Sequence, residues 1–330
     1  MMSKGYFLSG DIGGTKTLMQ LNPAYIEHAP VLRKSYESAA YSGLAEIVEE
    51  FLTEAGIRKL TAACFALAGP VNGRVVKLTN LPWVVDADAL SSHFAVSRVE
   101  LINDFEAVGY GVNRLQTNDL LTLQTGIEQV EGTRLVVGAG TGLGVAWLSW
   151  QDGQYKVSPS EAGHMDFAPA DEMQNLLLRY LQTRYEHVSY ERIVSGSGIR
   201  AIFDFISDSG LASPSAALNK AMEKIDAAAA ISQFALQGNC EIARMTMDLF
   251  LAVYGAFVGN LALAFLPRGG VYIAGGIAAK INSQMGNGLF MNSLLHKGRF
   301  KELQATLPVH VVLNQDVGLV GASLYAQQYA

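Results

Sequence analysis

The chain has 330 residues, a net charge of −6, half of its residues hydrophobic and only 16% charged. That balance excludes a disordered chain, and the length is enough to bury a core without disulfide or metal staples; the acidic surface disfavours nucleic acid and anionic membranes as partners. The two cysteines, Cys64 and Cys240, form no CxxC or Cys/His cluster, so zinc is unsupported and a reducing cytosol is expected.

Met1–Tyr6 carries one lysine and no apolar run, so no signal peptide is expected. Tyr6–Ile12 reads as an apolar strand entering a glycine turn, followed by strands at Thr17–Leu21 and Val31–Tyr36. Leu44, Ile47, Val48, Phe51 and Leu52 recur at helical spacing and predict a helix over Ser42–Ala55, stopped by Gly56. Ala62–Leu67 and Val99–Asn103 read as buried strands, and Asp104 can cap the helix that follows. The pattern then restarts. Leu135–Gly138 is a strand ending in a second glycine turn, and Val145–Trp150 and Tyr155–Ser158 are joined at Asp152-Gly153, a hairpin dipeptide. Helical signals follow at Glu172–Tyr185, Ser215–Gln237 and Met245–Leu266. Then come strands Val271–Ala274 and Val309–Leu313 and a last helix over Leu319–Tyr329.

Leu249–Leu266 is uncharged over 18 residues and holds Gly255-x-x-x-Gly259, the lower limit of a membrane span. Asn260 and the sparse flanking charge favour a buried core helix instead. The doubled pattern predicts an α/β chain of two domains of mixed sheet flanked by helices, with a cleft between them. The expected division is 1–114 plus 315–330, a smaller domain to which the C-terminal helix returns, and 115–314, a larger one.

Three glycine turns adjoin apolar strands: Gly10-Asp11-Ile12-Gly13-Gly14-Thr15-Lys16-Thr17, Gly138–Gly144, and Gly269-Gly270 with Gly275-Gly276. Glycine lets backbone N–H groups approach an anion closely. Neither of the first two turns is a P-loop or a dinucleotide fingerprint. Thr15 stands where a P-loop needs its second glycine, Leu143 and Val145 interrupt G-x-G-x-x-G, and both turns run on into strands rather than helices. What remains is a pair of hairpin turns suited to clamping phosphates.

The segments DIGGT (11–15), LINDFEA (101–107), GAGTGLG (138–144), SEAGHMDF (160–167), ERIVSGSG (191–198), GAFVGNLAL (255–263) and GGVYIAGGI (269–277) together resemble the bacterial glucokinases of the hexokinase/actin/Hsp70 ATPase superfamily. The absence of a cysteine-rich motif resembles their zinc-free branch. The resemblance implies the ribonuclease-H-like (actin-like ATPase) fold in both domains. It also implies ATP-dependent phosphorylation of D-glucose at O6 with Mg²⁺, as a step of glycolysis, in a cytoplasmic homodimer.

Phosphoryl transfer needs an oriented hydroxyl, a proton acceptor and neutralised phosphate charge. Asp104, at a strand end and a helix start, reads either as a simple cap or as the general base; the resemblance points to the base, with Asn103 beside it on a sugar hydroxyl. Glu161, His164 and Glu191 match sugar-contact positions, where carboxylates and imidazole accept hydroxyl protons. Read alone, His164-x-Asp166 is also a possible metal pair. Asp11 reads either as an Asx turn or, as the resemblance implies, as a support for Mg²⁺ through water. Gly10, Ile12, Gly13, Gly14, Thr15, Gly140, Thr141 and Gly142 are expected at the phosphates, and Gly275 and Gly276 resemble the adenosine motif. Lys16 is left outside the site. Gly255, Gly259 and Asn260 read as structural, and Thr79–Trp83 as a loop near the sugar or a turn under a core tryptophan.

Overall fold

A computed structural model describes residues 5–23, 30–57, 59–78 and 80–329; the leading residues 1–4 and Thr79, both used in the sequence reading, lie outside these. The described chain forms two compact units, one within 1–116, 155–159 and 316–330, the other 117–154 and 160–315. Its strands are β1 (Tyr6–Ile12), β2 (Lys16–Pro23), β3 (Leu32–Glu37), β4 (Ala62–Leu67), β5 (Val75–Lys77), β6 (Val84–Asp86), β7 (Val99–Asn103), β8 (Leu120–Gln124), β9 (Arg134–Ala139), β10 (Leu143–Gln151), β11 (Gln154–Ser160), β12 (Val271–Ala274) and β13 (Val309–Val312).

The first unit is built on a sheet of order β3-β2-β1-β4-β7. β1 pairs antiparallel with β2, while β1, β4 and β7 run parallel. Ile12 pairs with Leu67 and Leu67 with Asn103, so β1 and β7 end on the same edge of the sheet. Asp11 and Asp104 therefore share that edge, where α/β sheets present their chemistry. The helix Leu44–Ala55 buries Leu44, Ile47, Val48 and Phe51 and stops at Gly56, whose φ of 65° is left-handed.

Helix Asp104–Gly111 is seated by the C-terminal helix Val317–Gln327. A Cβ at Gly321 would lie 1.7 Å from the Ala107 carbonyl, and one at Gly111 would lie 2.0 Å from that of Val317. Contact this close is possible only between bare backbones. Ser323 Oγ also meets Ser9 Oγ of β1 at 2.6 Å, tying the same helix to the sheet.

The second unit carries a sheet in which β10, β9, β12, β13 and β8 lie in that order. Helix Glu241–Phe265, the one described helix long and apolar enough to cross a membrane, is mostly buried inside this unit. Gly255 and Gly259 bring it onto helix Leu289–Leu295, where added Cβ atoms would lie 2.1 Å from Phe290 O and 2.5 Å from Leu294 O. Asn260 donates to Tyr190 OH at 3.0 Å. All three residues are structural.

Several elements carry no clear sequence period. The β5–β6 ribbon, the Asp86-capped helix Ala87–His93, β8 and the short helices after Gly276 are of this kind. The predicted helical stretch 215–237 is two helices, Ala216–Met222 and Ala227–Gln237, separated at the N-cap Asp226. The helix at 172 ends at Gln182 instead of Tyr185.

Candidate active site

In the first unit the turn between β1 and β2 is a hairpin. Gly13 N–H donates to Lys16 O at 3.0 Å, and Ser38 braces the loop by donating from its N–H to Thr15 O and from Oγ to Gly13 O. Gly14 packs against Asn80, at 2.8 Å from an added Cβ to the Asn80 Cβ. Gly10 and Ile12 lie in the strand, and the Ile12 side chain is fully buried in the core, so only their backbones face chemistry. Ser38 went unnoticed in the sequence, because nothing near it in the chain marks it. Trp83 is a core residue whose indole donates to Tyr41 O at 3.2 Å.

The helix cap sits one residue earlier than the sequence suggests. Asn103 is the N-cap, its Oδ1 accepting from Phe105 and Glu106 N–H at 2.8 and 3.1 Å. Glu106 returns the interaction through a hydrogen bond with the Asn103 backbone, a reciprocal capping pair. Asn103 Nδ2 donates to Gly69 O at 2.9 Å. Asp104 is thus the first helical residue, with Oδ1 accepting the Phe105 N–H at 2.8 Å. Asp104 stands at the positive end of the helix.

Burial, then the carboxylates of Asp104 and Asp316, push the Asp11 carboxyl from its ordinary 3.8 up to about 6. Arg33 forms an ion pair with Asp316. Asp316 and Arg33 escaped the sequence reading because they meet this cluster only in the fold. A buried carboxylate crowded by like charges favours a cation at its surface, which fits Mg²⁺. Among the described residues no cluster of three or more potential ligands could hold a metal, so an ion here would need most of its shell from water.

The raised folded value means that the neutral acid stabilises the protein below pH 3.8 and that this contribution is lost as pH rises through about 6. We therefore expect Asp11→Asn to raise the stability of the free protein at pH 7 by up to about 3 kcal/mol. Denaturant unfolding of both proteins from pH 4 to 7 should show the difference growing over that interval; parallel profiles would refute it.

In the second unit the β9–β10 turn is also a hairpin, closed by Gly140 N–H to Gly142 O at 2.8 Å. Glu191 Oε2 accepts the Leu143 N–H at 2.9 Å and lies 2.6 Å from where a Gly142 Cβ would stand, so this carboxylate is seated on the turn. His164 joins the three residues expected at a sugar: its Nδ1 is 4.0 Å from Glu191 Oε1 and its Nε2 is 3.9 Å from Glu161 Oε2. Asp166 does not pair with His164; its Oδ1 meets His187 Nε2 at 2.9 Å, which removes the metal-pair alternative.

Gly140, Thr141 and Gly276 line a cavity of about 790 Å³ together with Ser197, Asp226 and Lys280, a size suited to a nucleotide-class ligand. Gly275, at φ 85°, makes the turn out of β12, and a Cβ there would lie 2.4 Å from Ala139 O. Ser197 follows the N-cap Ser195 of helix Gly196–Asp208. Ser197, Asp226 and Lys280 were not anticipated. The aspartate before four alanines was a readable cap signal, whereas Lys280 had none.

The Glucokinase family model matches residues 8–329. A curated glucokinase of Nostoc sp. is 44% identical over 337 residues, covering 97% of this chain and 98% of its own. The crystal structure of a glucokinase from an Antarctic psychrotroph superposes with a TM-score of 0.84 at 29% identity, covering 98% of this chain and 99% of that one. A ROK family glucokinase from Streptomyces griseus, in complex with glucose and AMPPNP, superposes with a TM-score of 0.67 at 18% identity, covering 98% of this chain and 100% of its own, and shows the fold alone. The architecture is that of the actin-like ATPase fold.

Proposed function

Because the chain belongs to the glucokinase family, we propose that this enzyme phosphorylates D-glucose at O6, with ATP as donor and Mg²⁺ as the accompanying cation. The observation that carries this reading is the Glu161–His164–Glu191 cluster. A sugar ring presents adjacent hydroxyl donors, and two carboxylates flanking an imidazole accept them in a way that a neutral pocket would not. Asn103 adds its second Nδ2–H to a sugar oxygen, the first being committed to Gly69 O.

Asp104 acts as general base. As the bond from O6 to the γ-phosphorus forms and the bond to the ADP oxygen breaks, the O6 proton passes to the carboxylate. Gly13 and Gly140 use their N–H groups to close their own turns, so Gly14, Thr15, Thr141 and Gly142 supply the phosphate contacts. Gly275 and Gly276 take the adenosine. Asp11 would hold Mg²⁺ through water, and the ion would offset polyphosphate charge. Because a protonated Asp11 holds a cation less well, the reading also expects Mg²⁺ to bind the free protein more weakly as pH drops below about 6.

A coupled assay across a hexose panel tests the reading. Glucose should be turned over with kcat/KM at least about tenfold above mannose, fructose and glucosamine; preference for another hexose, or no transfer from ATP, would sink it. Glu161 is two-thirds exposed, so Glu161→Gln should raise KM for glucose by about tenfold or more while leaving Tm unchanged; an unaltered KM would remove Glu161 from the sugar site. The reading extends to a cytoplasmic homodimer. Both cysteines are free and buried, in keeping with a reducing compartment, and sedimentation equilibrium measures the assembly.

A further inference from the structure

The second unit holds another cavity, of about 530 Å³, that none of the residues assigned above lines. Its wall brings together Lys297, Lys301 and His296, with Asn292 and Ser293 beside them. The Lys297 stem runs over the bare Gly259 of the long helix, its Cε 2.6 Å from where a Cβ would stand. That placement leaves Lys297 half-buried. Among the described residues its ammonium makes neither hydrogen bond nor ion pair. Burial alone pulls its pKa down, with no carboxylate pushing it back up.

The carboxylate in the lining is already committed. Asp171 Oδ1 accepts the Gln174 N–H at 2.8 Å and Oδ2 accepts Gln174 Nε2 at 3.2 Å. A desolvated ammonium without a counter-ion is costly. A cavity that keeps one, beside a second lysine, a histidine and two neutral donors, has the inventory of an anion site.

We propose that this cavity binds a small phosphate-bearing anion, with the half-buried Lys297 as its anchor and Lys301 and His296 at its mouth. A phosphate dianion matches the set because its oxygens accept from several donors at once. The volume is that of a site for a small metabolite. The chemistry is shared by inorganic phosphate and by phosphate monoesters of sugars, and the experiment separates the two.

Calorimetric titration of the whole protein with inorganic phosphate, and separately with glucose 6-phosphate, is the test. The wild type should bind at least one of them saturably. Lys297→Met keeps the aliphatic stem over Gly259 and removes the charge. It should weaken that binding at least about tenfold while kcat and both substrate KM values stay within about twofold. Anion held elsewhere, at the glycine turns, would be untouched by this change. If Lys297→Met does not fold, Lys301→Ala, at an exposed position, should still weaken binding several-fold. Glucose 6-phosphate binding about tenfold tighter than phosphate identifies a sugar ester as the ligand, and equal or weaker binding identifies free phosphate. Identical isotherms for wild type and variants, or no binding of either anion up to about 10 mM, overturn the proposal.

Discussion

Asp104→Asn should lower kcat by roughly a thousandfold and leave the glucose dissociation constant within about tenfold. The substitution keeps the shape of the side chain and an oxygen able to accept the Phe105 N–H that Asp104 Oδ1 accepts at 2.8 Å, so the helix start stays in place. What is lost, on the proposed reading, is the group that takes the O6 proton. Isothermal binding of glucose together with single-turnover transfer separates the two effects. A variant with wild-type kcat rejects Asp104 as the base. The charge change has a second readout. Asp104 is one of the two carboxylates that raise Asp11, so the acid limb of any residual activity should move to lower pH. That shift reports the charge of Asp104, and the loss of kcat reports its role as base.

Gly321→Ala is the second large effect. The new methyl carbon would sit 1.7 Å from Ala107 O, and neither partner is a flexible side-chain end that can swing away. The two helices must separate. The expected cost is about 3 kcal/mol or more, read as a fall in Tm. The helix that carries Asp104 moves with the separation, so kcat should fall as well, and more than KM for glucose changes, because the three acceptors expected at the sugar lie in the other unit. An alanine variant with unchanged Tm would mean that the helices do not meet as described. A serine added at an open glycine such as Gly43, which has nothing within 4 Å, serves as the control and should cost little.

Much of this molecule is legible in its sequence because the signals are local. β12 lies at Val271–Ala274, the stretch that four consecutive apolar residues before glycines predict, and Gly56 ends its helix in the left-handed conformation that the residue type suggests. The two hairpin turns were readable because strand continues past each one, which a P-loop forbids. The Asn103–Asp104 boundary was off by one. Both residue types cap helices equally well, and only the fold decides which oxygen reaches the Phe105 and Glu106 N–H groups.

What stayed hidden is nonlocal or short. Ser38 braces a turn 25 residues away, and Arg33 meets Asp316 from the far end of the chain. β5 and β6 have three residues each, too few to show a period. Lys297 looks like any surface lysine until Gly259 lays its stem down. The Glu161–His164–Glu191 grouping was expected only from resemblance. Its geometry depends on Gly163, where a Cβ would lie 2.1 Å from Leu143 O, bringing the 162–164 turn onto the start of β10.

The packing of Gly321 on Ala107 has a consequence for biosynthesis. The segment bearing Asp104 leaves the ribosome more than two hundred residues before the helix that seats it. Every nascent chain paused between those points therefore carries its aspartate on a helix without its packing partner, with the Ser9 hydroxyl of β1 not yet met by Ser323. The first unit is completed only late in translation, once Val317–Gln327 has emerged and docked.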